Sequence, residues 1–232
     1  MADCRAPSWS ARPVSGIGPW EAVAGWSRGE PEVRLAGRDD IEPLVLVLAR
    51  AFADDPVACY LFDGERARAR GLRRFFGAQL RTMMMGPGEV WTTSRASGAA
   101  IWVRPGAPRA ATWRDAVRLA PVFADVVLGG RASASFRLLA DVERARPTQE
   151  HWYLATLGTD PRAQGRGVGS ALLRSTLKAV DDEGMPAYLE SSKRRNVPFY
   201  MRHGFEVTGV VRSVDGAVSL WPMWRSPRPP GG

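Results

Sequence analysis

The chain has 232 residues, 45% of them hydrophobic and 24% charged, with a formal net charge of +8 and a sequence pI near 10.4. That composition is ordinary for a globular protein and leaves no apolar run near the ~18 residues a membrane span needs. Cys4 and Cys59 are the only cysteines, too few for a disulfide framework or a thiolate metal site, so a reducing, cytoplasmic setting is expected.

The positive charge invites a nucleic-acid reading. Lys178 and Lys193 are the only lysines, however, and the arginines are spread along the chain instead of interleaving with aromatics in one segment. Net charge alone predicts non-specific attraction. An anionic cofactor accounts for basic residues equally well, and nucleic acid is the disfavoured partner.

Residues 1–31 scatter Pro, Gly, Ser and Trp without periodicity and are expected to be a poorly ordered extension. Asp3, Glu21 and Glu30 argue against a transit peptide. The folded domain is expected over 32–226, with 227–232 as a tail. Val33, Arg34 and Leu35 alternate as a short strand. Asp39 or Asp40 then caps a helix whose apolar face is Ile41, Leu44, Val45, Leu48 and Phe52, and Asp54-Asp55-Pro56 ends it. Leu72, Phe75, Phe76, Leu80 and Met83 mark a second helix. Strands at 90–93 and 99–103 form a hairpin around Ser97-Gly98. Two helices are expected at about 112–128 and 133–145. From there the pattern predicts strand 152–158, helix 168–182, strand 187–191, helix 197–203 and closing strands near 205–212 and 217–224. The expected fold is a single α/β domain with no internal repeat.

One segment carries chemistry. The strand Trp152 to Gly158 leads through Thr159-Asp160-Pro161-Arg162-Ala163 into Gln164-Gly165-Arg166-Gly167-Val168-Gly169-Ser170, which opens the helix at 168. Glycine at every second position leaves backbone amides unshielded, and a helix N-terminus supplies unpaired N–H groups and the positive end of a dipole. Together they predict a phosphate cradle, to which Arg166 could add a charged contact. A Walker loop requires Gly-Lys-Ser/Thr, and lysine is absent here. A dinucleotide fingerprint needs its first glycine directly after the strand and early in a doubly wound sheet. Neither condition is met.

Gln-x-x-Gly-x-Gly between strand and helix resembles the pyrophosphate-binding motif of the GNAT superfamily of acetyltransferases. Tyr188-Leu189-Glu190-Ser191-Ser192, Asn196-Val197-Pro198-Phe199-Tyr200 and Gly204-Phe205 follow in the order that superfamily shows. Val33 to Ala36, Arg38-Asp39-Asp40, Ala51 to Asp54, Ala100-Ile101-Trp102 and the Leu154 to Gly158 strand extend the likeness to the puromycin N-acetyltransferase branch over about 33–226, with 104–150 matching weakly. The resemblance implies a central mixed, mostly antiparallel sheet whose middle strands splay apart to admit acetyl-coenzyme A as co-substrate. No metal is implied.

By the same resemblance, Leu157, Gly158 and Thr159 pair their backbone with the pantetheine arm, and the amides from Gln164 to Ser170 hold the pyrophosphate. Glu190, at the end of its strand, is the candidate general base, directly or through water; a solvated strand-end carboxylate is the alternative. Tyr200 is the candidate acid for the departing thiolate, or else a packed aromatic beside Phe199 and Phe205. Asn196 caps its helix and touches the cofactor. Asp54, Asp55 and Trp102 are candidate acceptor contacts, with turn formation and core packing as their simpler readings. Trp91, Trp113 and the Met83-Met84-Met85 run could join an apolar acceptor pocket. His151 and His203 are too few and too far apart in sequence for a metal site, and are expected at the surface. The expected activity is N-acetylation of a primary amine on a small molecule such as an aminonucleoside. Transfer to a protein or aminoacyl-tRNA amine, or a non-catalytic coenzyme A-binding module, are the alternatives. The oligomeric expectation is monomer or homodimer.

Overall fold

The computed structural model describes residues 31–86, 88–107, 126 and 132–228. The extension expected over 1–31 lies outside them apart from residue 31, and so does the helix expected at 112–128 apart from Val126, which is helical and buried against Phe62. The strands are β1 (Val33–Leu35), β2 (Gly88–Thr93), β3 (Gly98–Val103), β4 (Trp152–Thr159), β5 (Ala187–Ser191), β6 (Glu206–Val207), β7 (Val211–Arg212) and β8 (Ser219–Arg225). They form one sheet in the order β1-β2-β3-β4-β5-β8-β6, with β7 attached to β8. Every pairing is antiparallel except that of β4 with β5. The mixed, mostly antiparallel α/β architecture is the one expected.

Helices cover both faces. They are α1 (Ile41–Ala51), α2 (Pro56–Leu61), α3 (Glu65–Met85), α4 (Ala132–Ala145), α5 (Val168–Asp182) and α6 (Val197–Arg202). On one face Val168, Leu172, Leu173, Leu177 and Val180 of α5 pack with Trp102, Trp152, Leu154, Leu189, Tyr200 and Phe205. On the other, Leu44, Val45 and Leu48 of α1 and Leu72, Phe76 and Leu80 of α3 meet Val90, Ala99 and Ile101. Each fully buried Leu or Phe contributes ~1.5–3 kcal/mol, so the 3.6-residue spacing read in the sequence is what holds each helix to its face. At Gly158 a side chain is excluded: an added Cβ would stand 2.6 Å from Leu48 Cδ2 and 3.0 Å from Phe52. The missing side chain lets α1 lie directly on the end of β4.

The structure corrects several local readings. Asp40 does not cap α1 through its side chain. Its carboxylate accepts from Gly37 N at 2.7 Å and pairs with Arg34, closing the short turn before the helix. Asp54-Asp55-Pro56 ends α1 but also starts α2, because Asp55 Oδ1 accepts from the amides of Val57 and Ala58 and Pro56 occupies the first helical turn. The closing strands are shorter and broken into β6, β7 and β8, with Pro222 inside β8 opposite Glu190. The tail expected from 227 is tethered at its start, where Arg228 N donates to Asp181. Cys59 is disulfide-bonded, not a free thiol, which removes the cysteine argument for a reducing setting. Cys4 lies outside the described residues. No helix among the described residues is long and apolar enough to cross a membrane.

Candidate active site

β4 and β5 are hydrogen-bonded neighbours only at Trp152↔Ala187 and Tyr153↔Tyr188. Beyond that point they part, and a cleft of about 620 Å³ opens between them. The register of β3 against β4 steps from Trp102↔Leu154 to Ile101↔Thr156, which leaves Ala155 as the extra residue of a β-bulge. A bulged residue drops out of the ladder, so the Ala155 peptide faces the apex of the splay without a full set of strand partners. The bulge also reverses the alternation of β4. Leu154 points into the α5 core, whereas the Thr156 hydroxyl reaches Gln79 of α3 at 3.0 Å.

One wall of the cleft is the predicted cradle. Gly165 and Gly167 adopt φ of +74° and +80°, the left-handed region that disfavours side chains, and a Cβ at either would meet open space. Gly167 is the N-cap of α5, so the amides of Val168, Gly169 and Ser170 have no intrahelical acceptor and face a shared opening. The loop is fixed from below by Asp160, which accepts from Arg162 N and pairs with Arg50 of α1 at 2.5 Å. Sequence reasoning missed that pair, since the two residues are far apart in the chain. Gln164 Nε2 donates to the Thr159 carbonyl at 3.3 Å. Leu157, Gly158, Thr159, Gln164, Gly165, Gly167, Val168, Gly169, Ser170 and Asn196 all line the cleft. Arg166 is exposed and outside that lining, and Asn196 makes no side-chain cap bond to α6. The Ser170 hydroxyl lies 3.1 Å from His203 Nε2, and burial together with Arg174, Arg202, Arg225 and Arg228 lowers the pKa of that imidazole.

The opposite wall is the end of β5 with α6. Tyr200 is buried, lines the cleft and packs edge-on against Phe199 and Phe205. Burial, reinforced by the Asp55 carboxylate, pushes its pKa well up and keeps the phenol protonated. Glu190 also lines the cleft. Burial raises its carboxyl above the usual value, against the opposing pull of Arg146 and of the Tyr153 and Tyr188 hydroxyls. The Tyr153 hydroxyl donates to Glu190 Oε2 at 2.9 Å, and the buried Tyr188 hydroxyl is the other phenol that acts on this carboxyl.

The other sequence-predicted contacts lie elsewhere. Trp102 is fully buried, edge-on to Trp152, and does not line this cleft. Asp54 is paired with Lys193 at 2.5 Å and Arg195 at 2.6 Å. Asp55 does line the cleft, but its carboxylate caps α2 and accepts the Ser192 hydroxyl. Together Asp54 and Asp55 tie the α1–α2 corner to the segment after β5. His151, expected at the surface, is buried among Tyr188 and Trp224. No group of three or more potential metal ligands occurs among the described residues.

The splayed strand pair thus has the glycine loop of α5 on one lip and a buried carboxyl and phenol on the other. Residues 96–205 match the model of the acetyltransferase (GNAT) family. An uncharacterized N-acetyltransferase of Schizosaccharomyces pombe is 28% identical over 177 residues, covering 72% of this chain and 70% of that protein. A crystal structure described as histone acetyltransferase HPA2 and related acetyltransferase, from Corynebacterium glutamicum, is 27% identical with a TM-score of 0.64, covering 88% of this chain and 100% of the other. An agmatine N-acetyltransferase shares the fold at 16% identity and a TM-score of 0.56, covering 85% of this chain and 100% of that one. These likenesses support the GNAT acetyltransferase family, whose general activity is acetyl-coenzyme A-dependent acetylation of amines. They lend no support to the narrower likeness to puromycin N-acetyltransferase.

Proposed function

We propose that the protein transfers the acetyl group of acetyl-coenzyme A to the primary amine of a small molecule, of which an aminonucleoside is one candidate. The observation that carries this reading is the convergence on one cleft of the glycine cradle, Glu190 and Tyr200. The amides of Val168 to Ser170 would take the pyrophosphate, with Arg195 and Arg202 at the rim adding positive charge. The edge of β4 from Leu157 to Thr159 would pair with the pantetheine arm as an added strand does. The Ala155 peptide, outside the regular ladder and lining the cleft, would polarise the thioester carbonyl.

The chemistry then divides between two side chains. The amine nitrogen forms a bond to the thioester carbon and gives up a proton to Glu190, directly or through water. A carboxyl raised by burial is a stronger base once ionised, which suits that role. The carbon–sulfur bond breaks, and Tyr200, held protonated, supplies the proton that leaves coenzyme A as the free thiol. Free thiol measured over a panel of primary amines, with calorimetry for cofactor affinity, tests the reading. Tight acetyl-coenzyme A binding with no thiol release on any amine would reduce the protein to a binding module.

A further inference from the structure

The first turn of α5 is closed from the side of α6. An added Cβ at Gly169 would stand 3.3 Å from the Phe199 ring, and that ring lies 5.1 Å from the imidazole of His203. His203 is half-buried and does not itself line the cleft, but its Nε2 reaches the hydroxyl of Ser170, which does. The backbone on either side of the ring is fixed, because His203 N donates to the Tyr200 carbonyl and Arg225 Nε donates to the His203 carbonyl. The imidazole is thus held against the floor of the glycine cradle.

A serine hydroxyl has a single proton to donate. If Ser170 gives it to Nε2, the oxygen turns lone pairs toward the cleft, where they repel a phosphate oxygen. If Nε2–H donates to Ser170 instead, the hydroxyl proton is free to point at the phosphate. An anion in the cleft therefore selects a ring protonated at Nε2, either as the neutral tautomer or as imidazolium. In the free protein burial disfavours imidazolium, and so do Arg174 of α5, Arg202 of α6, Arg225 of β8 and Arg228 beyond it. Asp181 is engaged by Arg225 and by the Arg228 amide, and Glu206 of β6 is exposed. A pyrophosphate on the amides of Val168 to Ser170 would bring negative charge to the far side of the same hydroxyl, which opposes the arginines and favours the charged ring.

We propose that His203 is a positioning residue of the cofactor site, which turns the Ser170 hydroxyl toward the pyrophosphate and takes up a proton as coenzyme A binds. This rests on the acetyl-coenzyme A reading above and adds to it a residue outside the cleft lining. A ligand that favours the imidazolium binds best where the ring is already protonated. Affinity is therefore highest at low pH and falls as pH rises through the imidazole pKa of the complex.

Dephospho-coenzyme A is the probe, because a terminal phosphate monoester titrates near pH ~6 by itself and would mask the effect. Calorimetry at about pH 5.5 and pH 8 should show binding about 10-fold tighter or more at the lower pH, with proton uptake seen in buffers of different ionisation enthalpy. Glu190 and Asp55 also line the cleft, so the difference between parent and variant decides the matter. His203→Gln keeps a donor N–H and cannot gain a proton, and should lose most of the parent's pH dependence. Ser170→Ala should weaken binding by about 10-fold; an unchanged affinity overturns the route through the hydroxyl. His151 and His203 are the two histidines of the chain, so His203→Gln assigns their imidazole resonances. The His203 titration midpoint should rise by about one pH unit or more on saturation with the probe, whereas a merely packed histidine would keep its midpoint. A midpoint that the probe leaves unmoved, or a pH dependence that survives in His203→Gln, overturns the proposal and leaves the cofactor reading standing. Absence of binding at either pH removes that reading and this proposal with it.

Discussion

The Tyr153 hydroxyl donates to Glu190 Oε2 at 2.9 Å across the point where β4 and β5 part company. Tyr153 is the last residue of β4 paired with β5, and Glu190 lies two residues beyond its partner Tyr188. The bond therefore spans the apex of the splay and fixes the carboxyl of β5 relative to the edge of β4.

Glu190→Gln should separate catalysis from stability. Loss of a general base costs ~10² to 10⁴-fold in turnover. The stability effect has the opposite sign. The folded state raises this carboxyl above its unfolded value of 4.5, so the stability Glu190 supplies is complete below that value and declines as pH rises through the folded pKa. Glutamine has no such loss. Denaturant titrations at about pH 4 and pH 7 should show the variant gaining on the parent at the higher pH. A pH-independent difference would mean that the carboxyl is not perturbed.

Gly167→Asp should abolish coenzyme A binding while the domain stays folded. An added Cβ meets nothing within 4 Å, so the folding cost is the left-handed backbone alone, about 1–2 kcal/mol. The new carboxylate would stand at the N-terminus of α5, where it competes with and repels a pyrophosphate. Calorimetric affinity equal to the parent's would move the phosphate site elsewhere.

Tyr200→Phe removes a hydroxyl and keeps the ring between Phe199 and Phe205. Turnover should fall by roughly 10- to 100-fold, at or below the low end of general acid catalysis because a thiolate already leaves readily. Affinity for acetyl-coenzyme A should hold, since the cradle is backbone. Steady-state kinetics with chemistry rate-limiting supplies the measurement, and an unchanged kcat would make Tyr200 a packing residue.

Asp54→Asn tests the tie between the α1–α2 corner and the segment after β5. Burial works against the Asp54 carboxylate, yet Lys193 and Arg195 hold its pKa below the usual range. The Lys193 side chain is only 12% exposed and would be left without its partner. A loss of about 1–3 kcal/mol is expected, less than for a fully buried pair because Asp54 and Arg195 are partly solvated. The contribution is present above the unfolded value of 3.8 and is lost as pH falls through the folded pKa. The gap between parent and variant should therefore narrow in acid, which urea titrations across that range would show.

Local signals made some elements readable before any coordinates. The bounds 168–182 for α5 and 187–191 for β5 match the structure, because apolar spacing and flanking glycines act within a few residues. The loop before α5 was equally legible, since its glycines at 165 and 167 take up a left-handed backbone that side chains disfavour. Tertiary packing decided the rest. The bulge at Ala155 becomes visible only in the pairing of β3 with β4, residues far apart in the chain. Trp102 went to the core because Trp152 and α5 close over it. Tyr153, Arg146 and Glu190 became one group only when β4 and β5 were laid side by side. Pairing energies between residues far apart in the chain leave no periodic trace in it, so the sequence determined the glycine loop at the start of α5, and the tertiary structure alone brought Glu190 and Tyr200 to the other side of the same cleft.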